Sequence, residues 1–179
     1  MIKIFLEEIE LCYSQSLGTP IRGRSLVESI RQLIKKARKN IIICSCEFTN
    51  GADFIINDEI LNQLGKECKV SVYGNSEEQM IGLKKNFKNY EGYNNLRVFK
   101  WNPPTVGRTD KQIKHSLFHI KAITVDNNHC YLGSANLSWN AMQNSVEWGI
   151  VTHSTDLCLD LESYIDELVD NGRFVEVTL

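Results

Sequence analysis

The chain lacks an apolar run of the roughly 20 residues that a membrane-spanning helix requires. Its first residues, MIKIFLEEIELCYSQ, carry three glutamates where a secretory leader needs an unbroken apolar stretch. Charge of one sign is also missing. The net charge is -2, so composition gives no global argument for a nucleic-acid or anionic-surface partner. The six cysteines, at 12, 44, 46, 68, 130 and 158, form no Cys-x-x-Cys pair, which argues against a zinc ribbon or a thioredoxin-type centre. These absences predict a cytoplasmic chain with reduced, mostly core cysteines. No internal repeat, low-complexity tract or interdomain linker breaks the 179 residues, and that length suits one domain spanning 1–179.

What is present alternates. Ser25-Leu-Val-Glu28 reads as a capping box before a helix with Leu26, Ile30, Leu33, Ile34 and Ala37 on one face. Lys35, Lys36, Arg38 and Lys39 crowd its end, where cations suit the helix dipole. IIICSCEF (41–48) reads as a buried strand, 53–64 as a helix stopped by Gly65, KVSVYG (69–74) as a strand. Ser76 opens a third helix to about residue 89, and LRVFKW (96–101) is a third strand. A long loop with Pro103, Pro104 and Gly107 precedes a strand at about 117–125. Asp126-Asn127-Asn128 turns it into a hairpin with 130–132, followed by a short helix at 137–143 and a strand at 146–152. Ser154 or Thr155 caps a final helix with Leu157, Leu161, Ile165 and Leu168 inward, closed by Gly172. The pattern predicts an α/β fold: a mixed, largely parallel β-sheet flanked by helices on both faces.

Residues 97–121 contain Arg97, Lys100, Arg108, Lys111, Lys114 and Lys121 against Asp110 alone, a candidate basic groove in which Arg108, Lys111 and Lys114 would bind substrate. Trp101 beside it is a candidate for stacking a base, against the ordinary reading as a core or edge residue. His119 and Lys121, two apart on a strand, share a face, and a Lys aimed that way is hard to explain as packing. The hairpin returns Gly133, Ser134 and Asn136 alongside. Gly133 allows a tight turn, and Ser134 and Asn136 fall where a helix would begin and hold an anion. An imidazole, a cation and polar hydrogen-bond donors together suit a phosphate.

The pattern His119-x-Lys121-x4-Asp126-x6-Gly133-Ser134-x-Asn136 resembles the signature of the phospholipase D superfamily at every specified position. Asn144 and Glu147 match a downstream Asn-x-x-Glu, and the opening helix and strand are similar to the start of the family's domain. The resemblance covers about residues 10–170 and is closest to single-motif members, which include small bacterial endonucleases and defence nucleases. It implies a phospholipase D-like fold and a phosphodiesterase that works without a metal or other cofactor. One His attacks phosphorus, a second from another copy of the motif protonates the leaving group, and Lys and Asn hold the phosphate oxygens. By this resemblance His119 is the nucleophile, Lys121 and Asn136 bind phosphate with help from Ser134, and Glu147 orients the His119 ring. Asp126 and Gly133 are read as structural.

None of His115, His129 and His153 has a Lys two residues on, so a homodimer with a composite site is implied. His115 and His119 are four apart, a zinc spacing only on a helix, and the segment reads as strand. Small size, the basic loop and the lack of an amphipathic anchor favour a nuclease acting on DNA or RNA, within a defence or DNA-processing system with possible partner proteins. Alternatives are a phospholipase or phosphatidyltransferase, or a nucleic-acid-binding subunit active only with a partner.

Overall fold

The structure is a computed structural model that describes residues 8–14, 24–48, 50–105, 107–110, 112 and 116–179. In chain order the elements are β1 (Glu8–Tyr13), β2 (Arg24–Ser25), α1 (Leu26–Lys35), β3 (Asn40–Cys44), α2 (Asn50–Leu64), β4 (Lys69–Gly74), α3 (Glu77–Phe87) and a 3-10 turn (Tyr93–Asn95). They continue with β5 (Leu96–Trp101), β6 (Ala122–Val125), β7 (His129–Gly133), a π-helical turn (Asn140–Asn144), β8 (Trp148–His153), α4 (Thr155–Asp170) and β9 (Phe174–Glu176).

Among the described residues the strands form one sheet in the order β2-β1-β8-β7-β6-β3-β4-β5-β9. The crossovers β3-α2-β4 and β4-α3-β5 generate the parallel centre, as alternation of strand and helix demands. The α/β class and the mixed sheet are as expected, but the sheet is less parallel than the alternation suggests. β1–β2, β3–β4 and β4–β5 pair parallel, whereas β1–β8, β3–β6, β5–β9, β6–β7 and β7–β8 pair antiparallel. The reason lies after β5. No crossover helix joins β6, β7 and β8, so those strands meander. β1, β2 and β9, none of them anticipated from the sequence, extend both edges.

Strand alternation sends side chains to two cores. Ile41, Ile43, Val70, Val72, Val98, Ile123 and Val125 meet Leu26, Ile30, Leu33, Ile60, Leu64, Met80 and Phe87 of α1, α2 and α3 on one face. Cys44, Tyr73, Phe99 and Ala122 meet Ile165 of α4 on the other. Helices therefore cover both faces. Ser76 and Ser154 cap α3 and α4, accepting from Gln79 N and Leu157 N, each at 3.3 Å. Ser25 sits at the N-cap of α1, but its side chain makes no capping bond, so the expected capping box is not formed. The hairpin between β6 and β7 turns through Asp126 and Asn127, with φ of 51° and 59°. Such positive φ values favour Asp and Asn in this kind of turn.

Candidate active site

The site lies at the C-terminal end of β3 and β4, where the neighbouring chain ends converge. The segment before β6 is extended but, at 116–121, is not itself a strand, so β6 is shorter than expected. Its position is over-determined. Trp101 donates from Nε1 to Ser116 O at 3.0 Å, and Arg108 donates from Nη1 to Ser116 Oγ at 3.1 Å. Phe118 is buried against Trp101 and Phe174, and Ile120 packs on the same cluster. Asn75, just past β4, holds both backbone groups of Phe118: its Nδ2 donates to Phe118 O and its Oδ1 accepts from Phe118 N, both at 2.8 Å. The same Nδ2 donates to Cys46 O at 3.0 Å.

With Phe118 and Ile120 fixed inward, His119 and Lys121 project to the other side, as their spacing requires. Lys121 Nζ lies 2.8 Å from His119 Nδ1 and donates to His119 O at 3.2 Å. Burial pulls the Lys121 ammonium below the ordinary lysine range, while charge at Cys46 and Glu147 pushes it back up.

The returning strand supplies the second wall. Gly133 N donates to Lys121 O at 3.2 Å, adding one more pair to the β6–β7 ladder. Gly133 is needed for closeness rather than for a tight turn, since its φ is not among the positive ones. A Cβ there would stand 2.1 Å from Tyr131 Oη and 2.9 Å from Trp148 O. Ser134 Oγ donates to Glu147 Oε2 in a very short contact and accepts from Trp148 N at 3.2 Å. Ser14 braces Glu147, accepting at Oγ from Glu147 N at 3.0 Å and donating from its own N to Glu147 O at 3.1 Å. Asn136 Oδ1 is buried with no hydrogen-bond partner, so the fold leaves that atom uncommitted. Beyond it the chain does not begin a helix. Leu137 bridges in parallel to Phe48 and donates from N to Ser45 Oγ at 2.9 Å, and the π-helical turn starts only at Asn140. The expected helix N-terminus at Ser134 and Asn136 is therefore replaced by side chains on a bend and irregular backbone.

The structure thus gathers His119 with Lys121, and Ser134 with Glu147, on converging segments. Glu147 meets Ser134, while the His119 ring is met by Lys121. Asp126 lies at the opposite end of β6, where its carboxylate accepts from the backbone N–H groups of Arg38, Lys39 and Asn40 at 2.9, 2.8 and 3.0 Å. The basic stretch is largely engaged: Arg97 pairs with Glu176 at 2.9 Å, Lys100 with Glu77 at 2.7 Å, and Arg108 with Ser116. Trp101 is held within the aromatic cluster instead of being open to a base. Lys111, Lys114 and His115 lie outside the described residues. Among the described residues no group of His, Cys, Asp or Glu is arranged to hold a metal ion, and no helix is long and apolar enough to cross a membrane. Asn75, Ser14 and Ser45 were not legible as site residues. Each acts through a long-range backbone contact that leaves no local spacing signal.

Residues 30–169 match the family described as cardiolipin synthase, PLD-like domain. The chain belongs to the phospholipase D superfamily. Its members are phosphodiesterases. The phospholipase D-like architecture recurs in NucT from Helicobacter pylori, with a TM-score of 0.67 and 22% identity over 84% of this chain and 90% of that one. Nuc from Salmonella typhimurium, itself a phospholipase D family member, superposes with a TM-score of 0.68 and 16% identity over 96% and 99% of the two chains. Phosphatidylserine synthase of Haemophilus influenzae gives 0.65 and 15% identity over 94% of this chain and 40% of that one. The DISARM protein DrmC of Bacillus paralicheniformis is 23% identical over 157 residues, which are 88% of this chain and 61% of that relative. The chain therefore spans about three-fifths of the length of that curated relative.

Proposed function

We propose that the protein is a metal-independent nuclease hydrolysing DNA or RNA through a phosphohistidine intermediate at a composite homodimer site. The observation that carries this reading is the contact of Lys121 Nζ with the His119 ring and carbonyl, which sets an ammonium beside an imidazole. In the proposed cycle an imidazole nitrogen of His119 attacks phosphorus in line, and the bond to the leaving oxygen breaks. His119 of the partner subunit gives that oxygen its proton. The same histidine then takes a proton from water, whose oxygen attacks phosphorus and frees the nucleophile. Lys121 and Asn136 hold the non-bridging oxygens, Ser134 assists once its hydroxyl turns from Glu147 to the phosphate, and Glu147 balances the ammonium.

The need for a second histidine supports the dimer. His129 and His153 pack on each other at 4.7 Å, at the end of β7 away from Gly133. Among the described residues one chain thus brings a single histidine to the site. Leu117, Val146 and Trp148, neighbours in sequence of the site residues, are large apolar side chains more than half exposed, at 56%, 73% and 58%. Such a surface suits cover by a second copy.

The nuclease reading is supported by the likeness to NucT and Nuc across nearly their whole length. Similarity to a DISARM protein fits a role in a defence or DNA-processing system with partner proteins. A lipid phosphodiester is the second reading, favoured by the family description and by phosphatidylserine synthase. The deciding experiment is cleavage of labelled single- and double-stranded DNA and RNA in excess EDTA beside His119→Ala, with phosphatidylglycerol vesicles in parallel. Cleavage of nucleic acid that survives EDTA and vanishes in the variant supports the nuclease. Turnover confined to the vesicles overturns it.

A further inference from the structure

At the end of the sheet away from His119 lies a concave bay of about 740 Å³. Three separate parts of the chain build it. Lys35, Lys36 and Arg38 come from the end of α1 and its loop, Lys66 from the turn after α2, and Asp126 and His129 from the β6–β7 hairpin. Cations at the end of α1 alone would be explained by the helix dipole. Lys66 lies just past the C-terminus of α2, so two helix ends bring their cations into the same bay. Asp126, the one carboxylate in the lining, is held by three backbone N–H groups, and Lys35 pairs with Glu59 at 3.7 Å, so Lys36, Arg38 and Lys66 leave the bay net positive. Lys36, Arg38 and Lys66 are exposed. In a chain of net charge -2, this is a local concentration of positive charge with no catalytic residue in it.

Chemically the bay suits phosphate groups in series. It offers ammonium and guanidinium donors on aliphatic stems and no Phe, Tyr or Trp on which a base would stack. Its distance from the site is set by β6. Asp126 stands five positions beyond Lys121, or about 17 Å at ~3.4 Å per residue. A ligand reaching both places must therefore be a polymer.

We infer that this bay is a second nucleic-acid contact, which grips the phosphate backbone of the substrate remote from the scissile bond. The inference rests on the nuclease reading and names where that substrate is also held.

The test is fluorescence anisotropy of a labelled duplex of about 30 base pairs across a salt series, in a His119→Ala background that leaves the DNA intact. Replacing Lys36, Arg38 and Lys66 together by Gln (Lys36→Gln, Arg38→Gln, Lys66→Gln) is expected to weaken binding at least tenfold near 0.1 M salt. It should also make the log–log salt slope shallower by about 2 to 3, since each lost phosphate contact removes about 0.9. The charge-keeping pair Lys36→Arg and Lys66→Arg should bind as the parent does, which separates lost charge from lost folding. An unchanged slope in the Gln variant, with the parent binding and the wild type cutting DNA, overturns the bay and leaves the nuclease standing. A parent that binds neither this duplex nor single-stranded DNA or RNA of the same length fails the nuclease reading and this inference together. Capture of phosphatidylglycerol vesicles through the same three cations would then assign the bay to a membrane surface instead.

Discussion

Asn75 grips Phe118 as a strand would, donating to its carbonyl and accepting from its N–H at 2.8 Å each. Phe118 immediately precedes His119, so this one side chain fixes the backbone from which the imidazole projects. Asn75→Ala removes both bonds and the link to Cys46. It should lower stability by about 1 to 3 kcal/mol, as loss of buried polar partners does. Because a loosened imidazole loses alignment rather than substrate contact, kcat should fall at least tenfold with KM little changed. Steady-state kinetics beside thermal melting checks this. A variant whose loss appears in KM alone would show that Asn75 does not position the histidine.

The proposed composite site makes a mixing experiment quantitative. If each dimer needs His119 from both subunits, equal amounts of wild type and His119→Ala that exchange freely leave about one quarter of dimers intact. Activity per total protein should fall to about one quarter of the wild-type value. Independent sites in each subunit would give one half, and light scattering showing monomer at working concentration would remove the dimer altogether.

Much of this arrangement could be read from the chain, and the misses share a cause. Alternation of helix and strand announced the α/β class, and the two-residue spacing of His119 and Lys121 announced their common face. Lengths and directions of strands were less legible, because pairing depends on partners distant in sequence. β1 is a strand because Glu8–Tyr13 lies along Trp148–His153. Glu8-Ile9-Glu10-Leu11 alternates as a strand does, but so short and acidic a run does not say which partner it pairs with. Charge misled for the same reason. Arg97 and Lys100 looked like a groove until Glu176 and Glu77 arrived from other elements. Lys36 and Arg38 looked like helix-end charges until Lys66 joined them in one bay. Gly133 was recognised by position, but its reason is crowding from Tyr131, a contact that only the folded sheet creates.

That crowding yields a stability prediction. Gly133→Ala places a methyl 2.1 Å from Tyr131 Oη, 2.6 Å from Tyr131 Cζ and 2.9 Å from the Trp148 carbonyl. Tyr131 is buried and cannot simply swing aside. The substitution should cost about 2 to 4 kcal/mol, the range of overpacked cores that must shift backbone. Adding Tyr131→Phe should recover only part of this, since the ring carbon and the carbonyl remain too close. Chemical denaturation of the single and double variants measures it, and a fully restored double variant would refute the role given to the carbonyl.

In the proposed mechanism Lys121 sets the alkaline side of the pH profile. Burial lowers its affinity for a proton, so the ammonium is lost at a lower pH than that of an ordinary lysine. In the proposed mechanism the ammonium binds a phosphate oxygen, so kcat/KM should fall as pH rises through this lowered value. Glu147 opposes the shift, because its negative charge stabilises the ammonium. Glu147→Gln removes that charge and should move the alkaline limb to still lower pH, whatever it does to the maximum rate. Lys121→Arg keeps a cation that does not titrate in this range, so the residual activity of that variant should lose the limb. Profiles of kcat/KM for the three proteins decide the matter. An alkaline limb that stays in place in Lys121→Arg would assign it to another group.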